Sequence, residues 1–306
     1  MGVVGIILIV LASLIFTGII GIAKAKVGGR KAPFILQPLY DSVKLFNKGA
    51  VYSETTSFVF RIAPLVYFVS IITALLFIPF GGHKGLLSFE GDFVFFAYML
   101  ALGKFFMIIG AMDTGSGFEG MGANREALYS MLVEPAFFIL MGSLALFTSD
   151  TSFHGLFLHL HLNSHLTYLI AIIAIYVFIH ITMVENSRLP VDDPKTHLEL
   201  TMVHEVMVLD HSGFDLALIH IASWLKFSMY GALIANFILP IAWPLYAQII
   251  LFLIIQVAFA ITVGLLESFR ARNKMAKNAQ WIVMLSAIAV LVFLATLIIS
   301  NKLILN

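Results

Sequence analysis

Cysteine is absent from this chain of 306 residues. Its absence excludes disulfides, and it excludes iron–sulfur or nickel–iron centres held by thiolates of this chain. Charged residues are also scarce, at 11% of the sequence, well below the roughly 25% of ordinary soluble domains. The net charge of +1 gives no indication of nucleic-acid binding. If the chain belongs to a redox complex, the electrons travel through another subunit.

The apolar residues form long continuous runs, which argue against the alternating strands of a β-barrel. A helix needs about 20 such residues to cross roughly 30 Å of hydrocarbon. The predicted spans cover residues 2–23, 58–80, 93–112, 135–148, 166–184, 214–238, 245–267 and 280–300. Span 4 is short and opens on Pro135, although a helical pattern at 123–134 could extend it. The sequence predicts an all-α, polytopic membrane protein with a single domain, 1–306, and an uncleaved first span.

Basic residues are distributed unequally between the two sides of this bundle. Of the eighteen lysines and arginines, thirteen fall in the loops after spans 1, 3, 5 and 7, and two fall on the opposite side. The positive-inside rule therefore predicts that these four loops are cytoplasmic and that both termini are outside. In the first loop, residues 34–49 have the pattern of an amphipathic helix, which would lie on the membrane surface or dock a partner.

Acidic residues concentrate after span 5, where residues 185–215 hold seven of the seventeen. Ionisable groups at membrane depth are costly and normally face a bundle interior or a water-filled path, and several buried carboxylates together suggest a proton relay. The predicted proton-path residues are Glu126, Glu134, Glu185, Glu199, Glu205 and Asp210, with Lys104 and Lys226 as their partners inside spans. For Asp192 and Asp193 the preferred interpretation is a solvated loop, in which Asp193 before Pro194 suits a helix N-cap.

Two other patterns are weak as sites. Residues 115–120, "GSGFEG", match G-x-G-x-x-G but follow a membrane helix rather than a strand, so a glycine-rich turn is the better interpretation. The histidines of loop 149–165 favour interfacial structure over metal binding, because Asp150 is the one acid beside them. These histidines are His154, His159, His161 and His165. We predict no metal site.

Three motifs, in order, resemble one protein family. They are "GGRKAPFILQPLYDSVKL" (28–45), "DTGSGFEGMGANREALYSMLVEP" (113–135) and "ENSRLPVDDP" (185–194). Together they resemble respiratory complex I subunit 1, a membrane subunit of NADH–quinone oxidoreductase. The second motif is most similar to the branch found in formate hydrogenlyase, hydrogenase-4 and the energy-converting (group 4) [NiFe]-hydrogenases. On these motifs the chain is identified as a member of this family.

The resemblance implies a subunit without a catalytic site, in a bacterial or archaeal cytoplasmic membrane. It would dock a peripheral electron-transfer arm through loops 1, 3 and 5, and connect it to antiporter-like membrane subunits through buried carboxylates. The [NiFe] and iron–sulfur centres are expected in partner large and small subunits. The residues expected to shape the loops and dock the arm are Arg30, Gln37, Asp41, Lys44, Arg125, Arg188, Asp192 and Asp193.

The chain also departs from the complex I pattern. Val191 replaces the usual phenylalanine, Lys195 replaces a glutamate, and the segment before Ser212 is longer. These changes argue against quinone binding and remain compatible with proton handling, and hydrogenase-type relatives need no quinone pocket. The alternatives are a quinone-site subunit, which requires a cavity beside loops 1, 3 and 5, a purely structural anchor, and a free-standing ion transporter, which the lack of a visible inverted repeat disfavours.

Overall fold

The computed structural model describes residues 2–162, 165–192, 202–271 and 273–299. In this part of the chain the regular structure is helical, and one isolated bridge joins Phe80 to His83. Asp193 and Glu199, which the sequence analysis assigned to arm docking and to the proton path, lie outside the described residues.

Eleven helices occur within the described ranges. In chain order they are α1 (Gly2–Val27), α2 (Gln37–Phe46), α3 (Phe58–Leu75), α4 (Asp92–Asp113), α5 (Gly117–Thr148), α6 (Phe153–Leu162), α7 (His165–Glu185), α8 (His204–Met207), α9 (Gly213–Ile238), α10 (Leu245–Phe269) and α11 (Met275–Ile299). Eight of them are long and apolar enough to cross a membrane, namely α1, α3, α4, α5, α7, α9, α10 and α11. The prediction of an all-α protein with eight membrane spans is confirmed.

The start of α3 shows how neighbouring helices fix one another. The first N–H groups of a helix have no partner within it, and here the Asp113 carboxylate at the end of α4 accepts hydrogen bonds from the N–H groups of Ser57 (2.6 Å) and Phe60 (3.4 Å). Further along, a methyl group added at Gly103 of α4 would overlap the Ser70 hydroxyl of α3. A glycine at this position therefore allows the two antiparallel helices to pack closely.

Helix α5 differs from its prediction. Its 32 residues form one continuous helix, with Pro135 inside it, so the prediction that Pro135 opens the span is wrong. At about 1.5 Å per residue the helix is about 48 Å long, more than the roughly 30 Å of a hydrocarbon core. The polar residues before Pro135 stay helical because they find partners inside the protein: Glu126 is buried, and Arg125 binds a backbone carbonyl.

Helix α9 is the centre of the bundle. It packs against α1, α2, α3, α6, α7 and α10. Of the 18 residues that form its most apolar stretch, 83% are buried, against 61% or less in the corresponding stretches of the other spans. Charged or polar side chains on α9 therefore face protein rather than lipid. Because it packs against both α2 and α7, α9 connects the first loop to the α7 side of the bundle.

Most of the basic residues lie at the end of the bundle where α1, α4, α7 and α10 end, either in the loops or in the adjoining helix ends, and we call this end the basic side. Helix α2 lies there and corresponds to the amphipathic helix predicted over 34–49. It packs on α1 and α9, and nearby the Val51 N–H donates to the Ser212 hydroxyl at 3.0 Å. Loop 1 thus meets the start of α9. The assignment of the basic side to the cytoplasm stays a prediction.

The opposite side is closed by α6. The Asp92 carboxylate accepts a hydrogen bond from the Phe153 N–H at 2.7 Å, His154 Nε2 lies 2.8 Å from the Gly82 carbonyl oxygen, and His159 pairs with Asp150. His154 therefore connects α6 to the loop between α3 and α4, and His159 connects α6 to the residues just before it. The side chains of His161 and His165 fall outside the described part of the chain.

Candidate functional site

Four buried charged residues meet inside the bundle, and each comes from a different helix. The Lys104 ammonium of α4 lies 2.9 Å from Glu185 Oε1 of α7 and 3.3 Å from Glu126 Oε1 of α5. The Lys226 ammonium of α9 lies 3.7 Å from Glu185 Oε2 and also donates to the Glu185 carbonyl oxygen. We call these residues the four-charge cluster. The sequence predicted its members individually, and the structure brings them together.

The four-charge cluster is electrically balanced, with two ammonium groups facing two carboxylates. The Ser187 hydroxyl adds a hydrogen bond to Glu126 Oε2 at 3.2 Å, and the Lys226 ammonium lies 5.8 Å from the centre of the Tyr67 ring. Charges at membrane depth are tolerated when they are paired in this way. Since each carboxylate shares its cations with the rest of the cluster, a proton gained or lost by one member changes the electrostatic environment of the others.

A small cavity of about 30 Å³ adjoins the cluster. Its lining includes Lys104 and Glu185 of the cluster, together with Glu134 and Tyr230. A polar cavity of this size can hold a water molecule. Glu134 is exposed on the outer surface of α5, and no basic side chain among the described residues forms an ion pair with it. Glu134 is thus next to the cluster without belonging to it.

A larger cavity of about 430 Å³ opens on the basic side between α1, α2, α8 and α9. Its lining combines aromatic and charged side chains. The lining includes Lys24, Gln37, Asp41, Arg188, His204, Glu205, His220, Trp224 and Phe227. The cavity lies beside both loop 1 and the loop after α7, and its volume is in the range of small-molecule pockets, about 300–1,000 Å³.

Glu267 of α10 is a buried carboxylate that the sequence analysis missed. Its side chain is fully buried; one oxygen lies 2.8 Å from the Lys24 ammonium and the other 3.4 Å from Arg188 Nη1. Both cations line the larger cavity, so Glu267 fixes the position of two charged side chains in the cavity wall. The available signal was its place in the last turn of an apolar span, the same signal that pointed to Glu185.

Side-chain hydrogen bonds hold the backbone of the loop after α7; one of them comes from α5, and two are made within the loop itself. Arg125 Nη1 donates to the Met202 carbonyl oxygen at 2.8 Å, and Asp192 Oδ2 accepts from the N–H groups of Val203 (2.9 Å) and His204 (3.1 Å). Asp192 is 1% exposed. The preferred interpretation of Asp192 as a solvated loop acid is therefore wrong: its carboxylate is buried because it satisfies the start of α8.

The other predicted residues lie apart from the cluster. Asp210 is exposed, and its backbone N–H donates at 3.1 Å to the buried carboxylate of Glu119, a residue that the sequence analysis did not select. Glu205 is partly buried at the larger cavity. In loop 1, Gln37 and Asp41 are hydrogen-bonded to each other at 2.9 Å. Arg30 and Lys44 are exposed on the same loop.

Two histidines of the segment between α7 and α9 are held neutral. Burial lowers the pKa of His204 to about 4, and the nearby Glu126 carboxylate opposes this shift only in part. Burial, with repulsion from His204, also lowers the pKa of His211 to about 4. The His211 ring stacks on Phe60 with centroids 4.0 Å apart, and neither of its nitrogens has a hydrogen-bond partner among the described residues.

Comparison with known proteins agrees with this architecture. Residues 1–298 match the family model described as NADH dehydrogenase. Hydrogenase-4 component C of Escherichia coli K12 is 31% identical over 77% of this chain and 73% of that protein. Formate hydrogenlyase subunit 4 of the same organism is 29% identical over 61% of each chain. NADH-quinone oxidoreductase subunit 8 of Thermus thermophilus is 26% identical over 75% of this chain and 65% of that protein.

A solved structure has the same fold. It is a chain of the membrane-bound sulfane sulfur reductase, an archaeal respiratory membrane complex, with a TM-score of 0.81 over 96% of this chain and 98% of that one. Its sequence identity of 19% supports the fold alone. From the family match and the 31% identical relative, the chain belongs to the NADH dehydrogenase subunit 1 family, as a membrane subunit of complex I-related hydrogenase and oxidoreductase complexes.

Proposed function

We propose that this chain is the membrane-anchoring and proton-path subunit of a complex I-related [NiFe]-hydrogenase of the formate hydrogenlyase or hydrogenase-4 type. It would dock the peripheral electron-transfer arm and couple its redox chemistry to ion translocation across a bacterial or archaeal cytoplasmic membrane. The [NiFe] and iron–sulfur centres would belong to large and small partner subunits on the cytoplasmic side. Antiporter-like subunits would adjoin the chain in the membrane.

The observation that carries this proposal is the four-charge cluster. Replacing buried ion pairs by apolar residues is often neutral or stabilising, so folding alone does not require four charged residues on α4, α5, α7 and α9. Ionisable groups placed together at membrane depth are a characteristic of proton paths. The cluster also joins the loop after α7 to the membrane interior, because Ser187 of that loop binds Glu126.

The proposed path begins at the larger cavity and ends on the surface of α5. Protons would enter past Glu205 and His204, which line the cavity, pass to Glu126 and Glu185 in the cluster, and leave at Glu134. An exposed carboxylate on a membrane span is costly when it faces lipid. We therefore infer that a neighbouring membrane subunit covers Glu134 and receives the proton.

The same residues provide a physical basis for coupling to the arm. Arg125 and Asp192 fix the loop between α7 and α9 through its backbone, and Glu126 follows Arg125 directly in α5. A force applied by the arm to this loop would change the hydrogen bonding of Glu126, and with it the proton affinity of the cluster. Such coupling requires two arrangements of the loop whose balance depends on the redox state of the arm.

The test uses the complete complex reconstituted in liposomes, with proton movement measured per electron pair. We expect Glu134→Gln and Glu185→Gln to lower proton movement about tenfold or more, because a glutamine cannot replace a proton-carrying acid. Glu90→Gln is the matched control, since Glu90 is exposed on the opposite side of the bundle from the basic side. Unchanged proton movement in both path variants would favour a purely structural anchor.

A second function is favoured by the larger cavity. The quinone-site alternative requires a cavity beside the cytoplasmic loops, and the 430 Å³ cavity lies beside loop 1 and the loop after α7. Its aromatic residues Trp224 and Phe227 could pack against a quinone ring, and His204 and His220 could hydrogen-bond its oxygens. When bound, a quinone would supply a two-electron acceptor there.

Purification of the chain with its partners in mild detergent, followed by metal analysis, separates these functions. Nickel and iron in the co-purifying subunits would support the hydrogenase type. Iron–sulfur partners without nickel would favour a quinone or another acceptor. A chain that purifies alone and transports ions in liposomes would favour the free-standing transporter.

A further inference from the structure

The proposed path contains a gap between Glu185 and Glu134. A proton passes directly between two groups when they are within hydrogen-bond reach, about 2.6–3.2 Å, or are joined by one water. The two oxygens of Glu185 face Lys104 and Lys226, and within the described residues no hydrogen bond joins Glu185 to Glu134. Both carboxylates line the 30 Å³ cavity. A proton that passes between them through this cavity therefore needs a connecting group inside it.

Tyr230 is the one neutral polar side chain among the described residues that line this cavity. It lies on α9 four residues after Lys226, so both side chains project from the same face of the helix. Tyr230 is 3% exposed, and its ring makes an edge contact with Phe96 at a centroid distance of 6.2 Å. A phenol hydroxyl both donates and accepts a hydrogen bond, which is what a proton-conducting bridge requires.

The remaining lining of the cavity is apolar. It consists of Phe96, Ala97, Leu100, Ala101, Val133, Phe137, Phe138 and Ile181. An apolar lining does not offer a water molecule the two to four polar partners that it needs, so a water here would be held by Tyr230 and the neighbouring charged groups. The hydroxyl and the water would then form one short hydrogen-bonded chain.

We propose that the Tyr230 hydroxyl, together with one water in the cavity, relays protons between Glu185 and Glu134. Once Glu185 has taken up a proton that entered along the path, it releases this proton toward the phenol oxygen, directly or through the water, while the phenol proton moves to the ionised Glu134 carboxylate. One O–H bond forms on the phenol and one breaks, so the tyrosine ends neutral and no oxidation occurs. The proposal rests on the proposed function, since it names the link between two of its acids.

The experiment is Tyr230→Phe in the complete complex in liposomes, with protons moved per electron pair as the readout. We expect a loss of about tenfold or more, because the substitution removes one hydroxyl and leaves the ring in place. Tyr129→Phe is the matched control. Tyr129 is also 3% exposed, and its hydroxyl lies 3.2 Å from Asn278 Nδ2, away from the cavity. This control should stay within about twofold of the unchanged complex.

Two further variants separate the relay from a structural effect and from the proposed function. Tyr230→His, whose ring can donate and accept, should restore proton movement above that of Tyr230→Phe. If Glu134→Gln stops proton movement while Tyr230→Phe matches Tyr129→Phe, the Tyr230 relay is overturned and the proposed function stands. If Glu134→Gln itself changes nothing, the proposed function fails. The arm's activity with an artificial electron carrier should be equal in all variants, which confirms assembly.

Discussion

Replacing Lys104 by methionine should destabilise the protein through the four-charge cluster. The substitution keeps most of the side-chain volume and removes the ammonium that lies 2.9 Å from Glu185 and 3.3 Å from Glu126. Glu126 then keeps the Ser187 hydroxyl, and Glu185 keeps Lys226 at 3.7 Å. The cluster changes from electrically balanced to one net negative charge in a buried position.

The size of the expected loss of stability follows from two opposing energies, the attraction between the charges and the cost of burying them. At an effective dielectric constant of about 20, each contact of Lys104 is worth about 5–6 kcal/mol of attraction, much of which offsets the cost of burying the ammonium. Removing one partner from a buried pair typically costs about 3–5 kcal/mol. The loss of stability also has an upper limit, because a carboxylate that has lost its partner can take up a proton instead of staying charged. For a carboxyl group of ordinary pKa this protonation costs about 3.7 kcal/mol at pH 7. We therefore expect a loss of about 3–4 kcal/mol at pH 7.

The assay is unfolding of the purified protein in detergent by heat or by added SDS. Lys104→Met/Glu126→Gln leaves only the Glu185–Lys226 pair, so we expect it to recover at least about half of the loss. Lys84→Met, at an exposed lysine, is the control and should change stability by less than about 0.5 kcal/mol. A double variant no more stable than Lys104→Met would refute the reasoning.

Three further predictions concern the basic side. His211→Phe should raise the free energy of unfolding by about 1–2 kcal/mol, because two buried ring nitrogens without partners disappear. The gain in melting temperature should be larger near pH 5 than near pH 8. The pKa of His211 is about 4 in the folded protein and about 6.5 in the unfolded chain, so the protein that carries His211 becomes less stable as the pH falls from about 6.5 toward 4. Gly18→Ala should detach loop 1 from α1, because the added methyl would overlap the Ile35 carbonyl; faster proteolysis of loop 1 would show it. Asp192→Ala should speed amide hydrogen exchange at the start of α8, where two N–H groups lose their acceptor.

The spans could be predicted from the sequence because length and apolarity are local properties. The predicted boundaries of the first, third, sixth and seventh spans agree with α1, α4, α9 and α10 to within a few residues. The prediction that Pro135 opens the fourth span was wrong, whereas the helical pattern at 123–134 does extend this span, and the helix begins still earlier, at Gly117. Polar residues such as Arg125 and Glu126 reduced the apolar signal, although in the structure they are satisfied by contacts with distant parts of the chain.

The candidate site could be predicted only as a set of residue types. Glu126, Glu185, Lys104 and Lys226 were predicted because charged groups next to or inside apolar spans are costly, yet nothing local distinguishes them from Asp210, which proved exposed, or Glu267, which was missed. Lys104 and Glu185 are 81 positions apart in the chain. Which acid meets which base depends on how the helices pack.

The sequence by itself therefore determined the eight membrane helices, the amphipathic first loop and the predicted orientation, because hydrophobic length and the positions of basic residues act segment by segment. Only the tertiary structure decided the electrostatics. Packing around the central helix α9 buried Lys226 against Glu185, left Glu134 on the outer surface and placed Tyr230 at the cavity between them. The physical reason is that the energy of a buried charge depends on its neighbours within a few ångströms, and those neighbours come from other helices.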